Sequence, residues 1–313
     1  MTPEEKARAP VFVGGSSRSG THAVANLLGR SSRFHLIPRE LGFHAVPAGL
    51  VGYVRGRFDR DELIENLRKK WWRVVPGAVG FEGLVTREEL DEALAAFAAA
   101  PDDRVAAGRE LVERLLDPHA GRAGKPSWVE KTTQTVVGAP VLIAMFPNAG
   151  VVHVVRDGRD VACSIARMPW GPDSVTEAIG FWADRLRRAE AGARAAPPGR
   201  ILVIHLEDLV LLDRERSYER LLAHLAIEDE PAMRAFFESE LTPERAHLGR
   251  WRSELEDVER REVTSVYSET LERLRAEGVT STPPVRSLAE SWGATDGGTE
   301  NPLDPWSRTS AGG

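Results

Sequence analysis

The clearest chemistry in this chain lies in residues 11–32 (VFVGGSSRSGTHAVANLLGRSS), where an apolar β-branched run meets a Gly/Ser-rich turn and then a helical pattern. In a strand, loop and helix arranged in this way, the loop amides point inward and the helix N-terminus adds partial positive charge. Gly15 and Gly20 have the spacing of a P-loop that binds nucleoside triphosphates. However, Thr21 stands in place of the P-loop lysine, and Arg18 lies inside the loop. The segment therefore predicts a phosphate-binding site that lacks the lysine typical of enzymes that hydrolyse nucleoside triphosphates.

A second candidate phosphate site lies in residues 151–164 (VVHVVRDGRDVACS). An apolar run ends in a polar turn and leads into a helix, with Asp157 as a candidate N-cap. Arg156 is expected at the carboxyl end of the strand and Ser164 about two turns into the helix. Both side chains can then face one phosphate beyond the strand end, where open α/β sheets bind ligands. The alternative is a simple salt-bridged turn in which Arg156 pairs with Asp160.

A third candidate is Lys131, in residues 128–132 (WVEKT). The chain has five lysines and thirty-six arginines, so a lysine at this place is less readily explained by random substitution of one basic residue for another. A compact ammonium and a planar guanidinium are not interchangeable at a crowded reacting centre. The alternative is an exposed lysine at the end of a strand.

Together these segments resemble the PAPS-dependent sulfotransferases, whose donor is 3′-phosphoadenosine 5′-phosphosulfate. Residues 17–21 resemble the family's 5′-phosphosulfate loop, and residues 156–164 its 3′-phosphate motif R-D-G-R-D-x-x-x-S. Residues 130–132 resemble the E-K-[ST] segment, whose lysine reaches the sulfuryl end of the donor. The resemblance runs from about residue 10 to about residue 279 and is weak between 49 and 126. It implies PAPS as donor, PAP as product and no metal.

The resemblance also implies a set of donor-binding residues, with the loop amides and the Ser19 and Thr21 hydroxyls on the 5′-phosphate. The set is Ser17, Arg18, Ser19, Gly20, Thr21, His22, Arg156, Ser164, Arg250 and Trp251. His22 replaces the second threonine of the common S-G-T-T sequence. Residues 247–252 (HLGRWR) resemble a basic G-x-W segment that covers the nucleotide. There Trp251 is expected near the adenine, and Arg250 or Arg252 at the 3′-phosphate; the alternative is an exposed turn packed on the next helix.

For a sulfotransferase, two cations must meet the charge that develops on the bridging oxygen, and Arg18 and Lys131 are the candidates. Glu207 and Asp208, in a segment resembling the family's late strand, are interpreted as structural.

A base must accept the proton of the attacking group. Residues 38–43 (PRELGF) resemble the P-[KR]-E-x-x-F segment of carbohydrate and protein-tyrosine sulfotransferases, which selects Glu40 as the catalytic base. His44 and His35 are alternatives, because the cytosolic branch of the family uses a histidine. A purely structural role for Glu40, in an ion pair with Arg39 or as a cap, is the third possibility.

The whole chain has 313 residues and a formal net charge of −6, which argues against non-specific binding to nucleic acid or anionic membranes. A single cysteine, Cys163, excludes an intramolecular disulfide and favours a reducing compartment. The N-terminus lacks the apolar stretch of a secretory signal, and no apolar run has the length of a membrane span. These features predict a cytoplasmic protein that does not bind membranes.

Strand patterns over 11–14, 34–37, 127–130, 151–155 and 201–205 alternate with helical patterns. This order predicts an α/β fold: a three-layer parallel sheet with a P-loop-like PAPS-binding loop and a helical insertion. The expected organisation is a flexible N-terminus (1–9), a sulfotransferase domain (10–280) and a disordered tail (281–313). Within the domain, a helical insertion over about 43–126 is expected on the acceptor side, with helices over 59–72, 86–100 and 104–116.

The predicted acceptor is a hydroxyl or amine of a sugar, a glycosylated natural product or another small molecule. Two other functions remain open. One is a P-loop kinase or other NTPase, against which the missing lysine argues. The other is a relative that binds PAPS or PAP without catalysis.

Overall fold

A five-stranded parallel sheet forms the centre of the protein in the computed structural model, which describes residues 8–74 and 79–283. The strands are β1 (Val11–Gly15), β2 (Phe34–Leu36), β3 (Ser127–Lys131), β4 (Gly150–Val155) and β5 (Ile201–His205), in the spatial order β2-β3-β1-β4-β5. Central β1 pairs with β3 through Phe12 and Glu130, and with β4 through Phe12 and Val151. Because every strand runs in the same direction, the loops that follow them meet at one edge of the sheet.

Helices flank the sheet along the chain. They are α1 (Thr21–Leu28), α2 (Leu50–Val54), α3 (Arg60–Lys69), α4 (Arg87–Ala99), α5 (Arg104–Arg122), α6 (Thr135–Met145), α7 (Gly158–Ala166), α8 (Val175–Ala195), α9 (Arg214–Leu225), α10 (Pro231–Glu240), α11 (Arg250–Glu254) and α12 (Asp257–Ala276). A short π-helix, Asp208–Leu212, follows β5.

The two faces of β1 are buried in two different cores, which explains why all five of its residues are buried. Phe12 packs into a cluster with the helices between β2 and β3. Val11 and Val13 pack on the other face, with residues of α1, α9 and α10. A strand covered on both faces is what a parallel sheet requires. The predicted three-layer α/β fold is therefore confirmed.

Four helices, α2 to α5, lie between β2 and β3. Side-chain caps fix where several of them begin: Asp59 accepts a hydrogen bond from the Glu62 amide at 2.8 Å, and Thr86 forms a capping box with Glu89. The predicted end of the third helix at residue 116 was wrong, because α5 continues to Arg122 through Pro118. Buried residues on both sides of the proline hold this helix together, and tertiary packing outweighs the missing amide donor.

The sequence patterns also missed the short helices α2 and α11. Five-residue helices carry too little periodicity to be recognised. Residues 1–7 of the predicted flexible N-terminus and 284–313 of the predicted tail lie outside the described residues. Within the described part of the chain, no helix combines the length and apolar character needed to cross a membrane.

Candidate active site

The loop between β1 and α1 has a shape that only certain residues permit. At Gly15, a Cβ atom would lie 2.2 Å from the Val154 carbonyl oxygen, so any side chain would collide with β4. Gly20 has φ +96° and directly precedes α1. Arg18 has φ +69°, a left-handed conformation that is uncommon for a residue other than glycine. Strained backbone of this kind accumulates at functional sites, and Arg18 is where the sequence predicts one.

Ser19 shapes this loop from within. Its hydroxyl oxygen lies 2.7 Å from the Ser16 carbonyl oxygen and 3.0 Å from that of Val154, and its side chain is fully buried. The Ser19 amide also donates to the Ser16 carbonyl. The hydroxyl proton is therefore used inside the protein. In this arrangement Ser19 shapes the loop, and the direct contact of its hydroxyl with phosphate stays a prediction.

The N-terminus of α1 is left available for an anion. No side chain caps the helix, and its first turn contains no acidic residue. Among the hydrogen bonds of the described residues, none uses the amides of Thr21 or His22 as donors. Free amides and the positive end of a helix dipole together favour bound phosphate. The backbone geometry expected of a P-loop-like phosphate site is thus present in the loop and at the start of α1.

The second motif meets the first at this same place. Arg156 directly follows β4, and Ser164 lies on α7. The Arg18 Nε atom donates to Ser164 Oγ at 2.9 Å, while Arg156 Nη1 donates to the Arg18 carbonyl at 3.4 Å. Arg156 also forms an ion pair with Asp160, at 3.1 Å. The salt-bridged turn considered as an alternative therefore exists, but it coexists with a position of Arg156 at the site.

These residues line one cleft of about 400 Å³. Its polar lining includes Arg18, Gly20, Thr21, His22, Arg156, Ser164, Glu240, Arg245, His247 and Arg250. Its apolar lining is Ala23, Leu206, Val210, Leu241 and Ala246. A cleft lined by cations, free amides and aliphatic side chains suits a phosphorylated nucleoside.

Trp251 and Arg250, predicted to bind the donor, have different positions. Arg250 lines the cleft, and its guanidinium donates to Glu254 at 2.8 Å. Trp251 is buried and does not line the cleft; the Arg159 guanidinium lies 4.1 Å from the centre of its ring. The indole therefore stabilises Arg159 by a cation–π contact behind the cleft, and aliphatic residues occupy the walls where the sequence placed an aromatic one.

Lys131, His22 and Arg18 lie in one electrostatic neighbourhood. Lys131 ends β3 and is buried, and this burial lowers the pKa of its ammonium. Desolvation in the cleft, together with the positive charges of Lys131 and Arg18, lowers the pKa of His22 to about 4. His22 is consequently a neutral imidazole at neutral pH, and the two cations supply the positive charge here.

Glu40 lies close to this group. Its Oε1 atom accepts hydrogen bonds from the Thr133 amide at 3.2 Å and from the Thr133 hydroxyl at 3.3 Å. Burial raises the pKa of Glu40, and the negative charge of Glu130 adds to this effect, whereas Lys131 opposes it. No ion pair joins Glu40 to Arg39 in residues 8–74 and 79–283. A carboxylate with a raised pKa beside a lysine has the properties of a general base.

The two histidines considered as alternative bases lie elsewhere. His44 is completely buried, with Nε2 3.0 Å from Glu130 Oε2. His35 stacks on His119 of α5, with ring centroids 6.5 Å apart. Neither imidazole lines the cleft. Glu40 and Lys131 do not line it either. What distinguishes Glu40 from the two imidazoles is its position beside Lys131, which lowers its pKa against the effect of burial.

Two residues that the sequence reasoning missed hold the turn that follows Glu40. Glu130 Oε1 accepts hydrogen bonds from the Leu41 amide at 3.3 Å and from the Thr132 hydroxyl at 2.7 Å. Thr132 Oγ1 in turn accepts from the Gly42 amide at 3.1 Å. The available signal was a glutamate within β3, directly after Trp128 and Val129, since a buried carboxylate needs partners.

The remaining expectations concern metal and thiol chemistry. Among the residues that the structure describes, no group of three or more His, Cys, Asp or Glu side chains is placed to hold a metal ion. Cys163 is buried on α7, and this burial raises the pKa of its thiol to about 12, so the sulfur stays protonated.

Solved structures and a sequence profile show what the chain is similar to. The chain resembles, at 17% identity, the sulfotransferase domain from the Synechococcus PCC 7002 olefin synthase, with a TM-score of 0.51, covering 83% of this chain and 95% of that one. The crystal structure of mouse sulfotransferase SULT7A1 complexed with PAP matches at 12% identity and a TM-score of 0.46, covering 88% and 89%. No curated protein resembles the chain closely enough to count as a match. A sequence profile described as "Sulfotransferase family" matches residues 10–231, so the chain belongs to the sulfotransferase family.

Proposed function

We propose that this sulfotransferase moves the sulfuryl group of PAPS to a hydroxyl or amine of a small acceptor, such as a sugar or a glycosylated natural product. The observation that carries the proposal is the single cleft shared by the two phosphate motifs. The uncapped N-terminus of α1 and the pair Arg156 and Ser164 face it together, joined by the hydrogen bond from Arg18 to Ser164. A bisphosphorylated nucleoside needs two separate anion sites, and this cleft offers two.

In this proposal each half of the cleft binds one phosphate group. The amides of Thr21 and His22, with the Thr21 hydroxyl, take the 5′-phosphate, and Arg156 and Ser164 take the 3′-phosphate. Ser164 accepts a hydrogen bond from Arg18, so its own hydroxyl proton is free to donate to phosphate. The adenine packs between aliphatic side chains contributed by the residues after β5 and by the segment after α10, principally Leu206, Val210 and Leu241.

The chemical step assigned to the site is an in-line displacement at sulfur. Glu40 accepts the proton of the acceptor hydroxyl while the acceptor oxygen bonds to sulfur and the bond from sulfur to the 5′-phosphate oxygen breaks. Lys131 and Arg18 stabilise the negative charge that PAP gains on that oxygen. In the described part of the chain the two terminal amino groups of Arg18 have no partner, which leaves them available to the donor. No step in this scheme uses a metal.

The helices α2 to α5 are assigned to the acceptor side, because Glu40 directly precedes them in the chain. The catalytic domain then comprises about residues 10–280, with the insertion over about 43–126. The fold alone does not select an acceptor, so its chemical class rests on the glutamate base.

Thermal unfolding with PAP, ADP and Mg-ATP tests the donor directly, since a ligand that binds the folded protein raises its midpoint. The expected result is a shift with PAP that exceeds the shift with ADP and is lost in Arg156→Ala and Ser164→Ala. An exposed substitution on α9, Glu219→Gln, is the control and should keep the shift. Stabilisation by Mg-ATP alone would instead support a kinase.

Turnover separates an enzyme from a relative that only binds. With PAPS and a panel of sugars and glycosides, Glu40→Gln and Lys131→Ala should lower turnover by roughly 10²-fold or more while PAP still binds. Equal turnover in the wild type and both variants would contradict the assigned roles. Binding of PAP with no transfer to any acceptor by the wild type would favour the non-catalytic alternative.

A further inference from the structure

Asp160 joins two segments that are far apart in the sequence. It is buried on the first turn of α7, where its Oδ2 atom accepts from Arg156 Nη2 at 3.1 Å and from the Gly249 amide at 2.8 Å. Its Oδ1 atom accepts from the Trp251 amide at 3.3 Å. One carboxylate therefore binds both the arginine of the 3′-phosphate motif and the backbone of residues 247–251, which we call the clasp segment.

Some N–H groups of the Arg156 guanidinium donate within the described part of the chain, and one buried N–H has no acceptor there. Both hydrogens of Nη2 are used, one by Asp160 and one by the His247 carbonyl at 2.6 Å. The Nε atom is buried and has no partner among the described residues. An unpaired buried guanidinium N–H at the wall of a cleft is costly unless a ligand accepts from it. Asp160 thus fixes the plane of the guanidinium and leaves Nε for an anion.

The clasp segment contains one strained residue, which the attachment helps to hold. His247 has φ +51°, a left-handed conformation that is uncommon outside glycine, whereas Gly249 adopts its φ of +70° without strain. Arg250 stands between the two amides that bind Asp160, and it lines the cleft. Because Asp160 binds the amides on both sides of Arg250, the clasp segment holds Arg250 at the same cleft that Arg156 lines.

We propose that Asp160 is a positioning residue that assembles the 3′-phosphate half of the donor site, by orienting Arg156 and holding the clasp segment so that Arg250 faces the cleft. The inference rests on the proposed function, because it presumes a nucleotide with a 3′-phosphate in this cleft. Asp160 does not touch the donor in this scheme. It acts entirely through the two arginines.

The test compares PAP with 5′-AMP, which lacks the 3′-phosphate, by isothermal titration calorimetry on the full chain. For the wild type we expect tighter binding of PAP. In Asp160→Asn, PAP binding should weaken roughly 30-fold, because one partner of a buried charge pair is lost, while 5′-AMP binding stays within about twofold. The ratio of the two affinities therefore collapses, which a general loss of structure would not produce.

Asp157→Asn is the matched control. Asp157 is also buried, but it caps α7 and pairs with Arg159 at 2.7 Å. It accepts no hydrogen bond from the clasp segment and is linked to it only through the contact of Arg159 with the Trp251 ring. This variant should lose stability and keep the wild-type ratio. Should Asp160→Asn fail to fold, Asp160→Glu displaces the carboxylate by one methylene and is expected to lower the ratio in the same way.

The outcomes separate the two proposals. A wild type that binds 5′-AMP as tightly as PAP overturns the proposed donor and this inference with it. A wild type that prefers PAP, with an unchanged ratio in Asp160→Asn, overturns the positioning role alone. Equal weakening of both nucleotides assigns Asp160 a structural role only. The double variant with Arg250→Ala should weaken PAP binding less than the two single effects combined, because Asp160 acts partly through Arg250.

Discussion

Replacing Glu207 with glutamine would isolate one buried proton and its effect on stability. Glu207 is buried directly after β5, where its Oε1 atom accepts a hydrogen bond from the Asp157 amide at 2.8 Å. Its Oε2 atom has no partner among the described residues. Burial, reinforced by the negative charge of Asp157, raises the pKa of Glu207 from 4.5 to about 8. The folded protein therefore keeps a carboxylic acid at neutral pH, whereas the unfolded chain ionises it.

The sign of the pH dependence follows from this difference. Between the two pKa values unfolding releases a proton, so the free energy of unfolding falls as the pH rises. From about pH 6 to about pH 9 this amounts to about two pKa units, or about 3 kcal/mol at roughly 1.4 kcal/mol per unit. Glutamine is neutral throughout and keeps an oxygen that can accept from the Asp157 amide. The wild type should therefore lose about 3 kcal/mol more than Glu207→Gln over this range.

Urea unfolding of both proteins across that pH range measures the difference. Glu219→Gln on α9 is the control, because it removes an exposed carboxylate and should follow the wild type. The buried histidines His153 and His205 have pKa values lowered from 6.5 to about 4, so near pH 6 the unfolded chain binds protons on them that the folded protein does not. This adds the same slope to both proteins and cancels in the difference between them. Parallel curves for the wild type and Glu207→Gln would refute the reasoning that Glu207 carries a proton in the folded state.

Three further substitutions test the framework around the cleft. Lys125→Met removes an ammonium that donates to three backbone carbonyls at 2.7–2.8 Å, so urea unfolding should show a loss of about 3 kcal/mol. Gly20→Ala places a Cβ 2.9 Å from Leu206 at φ +96°, so it should destabilise by about 1–3 kcal/mol and weaken PAP binding in calorimetry. Glu130→Gln breaks the buried pair with His44, so thermal and urea unfolding should show a loss of about 3 kcal/mol; unchanged stability would contradict the pairing.

The geometry of the two predicted phosphate motifs could be read from the sequence because it is local. Each phosphate motif is a strand, a short turn and a helix, and the backbone geometry of such a unit follows from the spacing of its residues. Arg156 precedes α7 and Ser164 lies about two turns into it, so their relative position follows from one strand, one turn and one helix without tertiary information. The parallel sheet then brings the two units to one edge, as the alternation of strands and helices predicts.

The parts that could not be predicted depend on contacts between distant residues. The Ser19 hydroxyl turns inward because the Val154 carbonyl, 135 residues away, lies within reach. Trp251 is buried in a position where the Arg159 guanidinium makes a cation–π contact with its indole ring. Residue type and spacing indicate which side chains can reach a ligand. Whether a side chain does so depends on hydrogen-bond and packing partners elsewhere in the fold, which compete for it.

Arg156 shows how this competition shapes the cleft. In the described chain, three residues other than glycine have positive φ, and two of them, Arg18 and His247, line the cleft. The Arg156 guanidinium donates to the carbonyl of each, at 3.4 Å and 2.6 Å. One side chain therefore holds the strained backbone of both walls while Asp160 holds that side chain. Because strained backbone persists only where its surroundings over-determine it, Arg156→Ala should release both walls and lower PAP affinity more than Ser164→Ala, which removes a single hydroxyl. Equal losses in the two variants would show that Arg156 contributes charge alone.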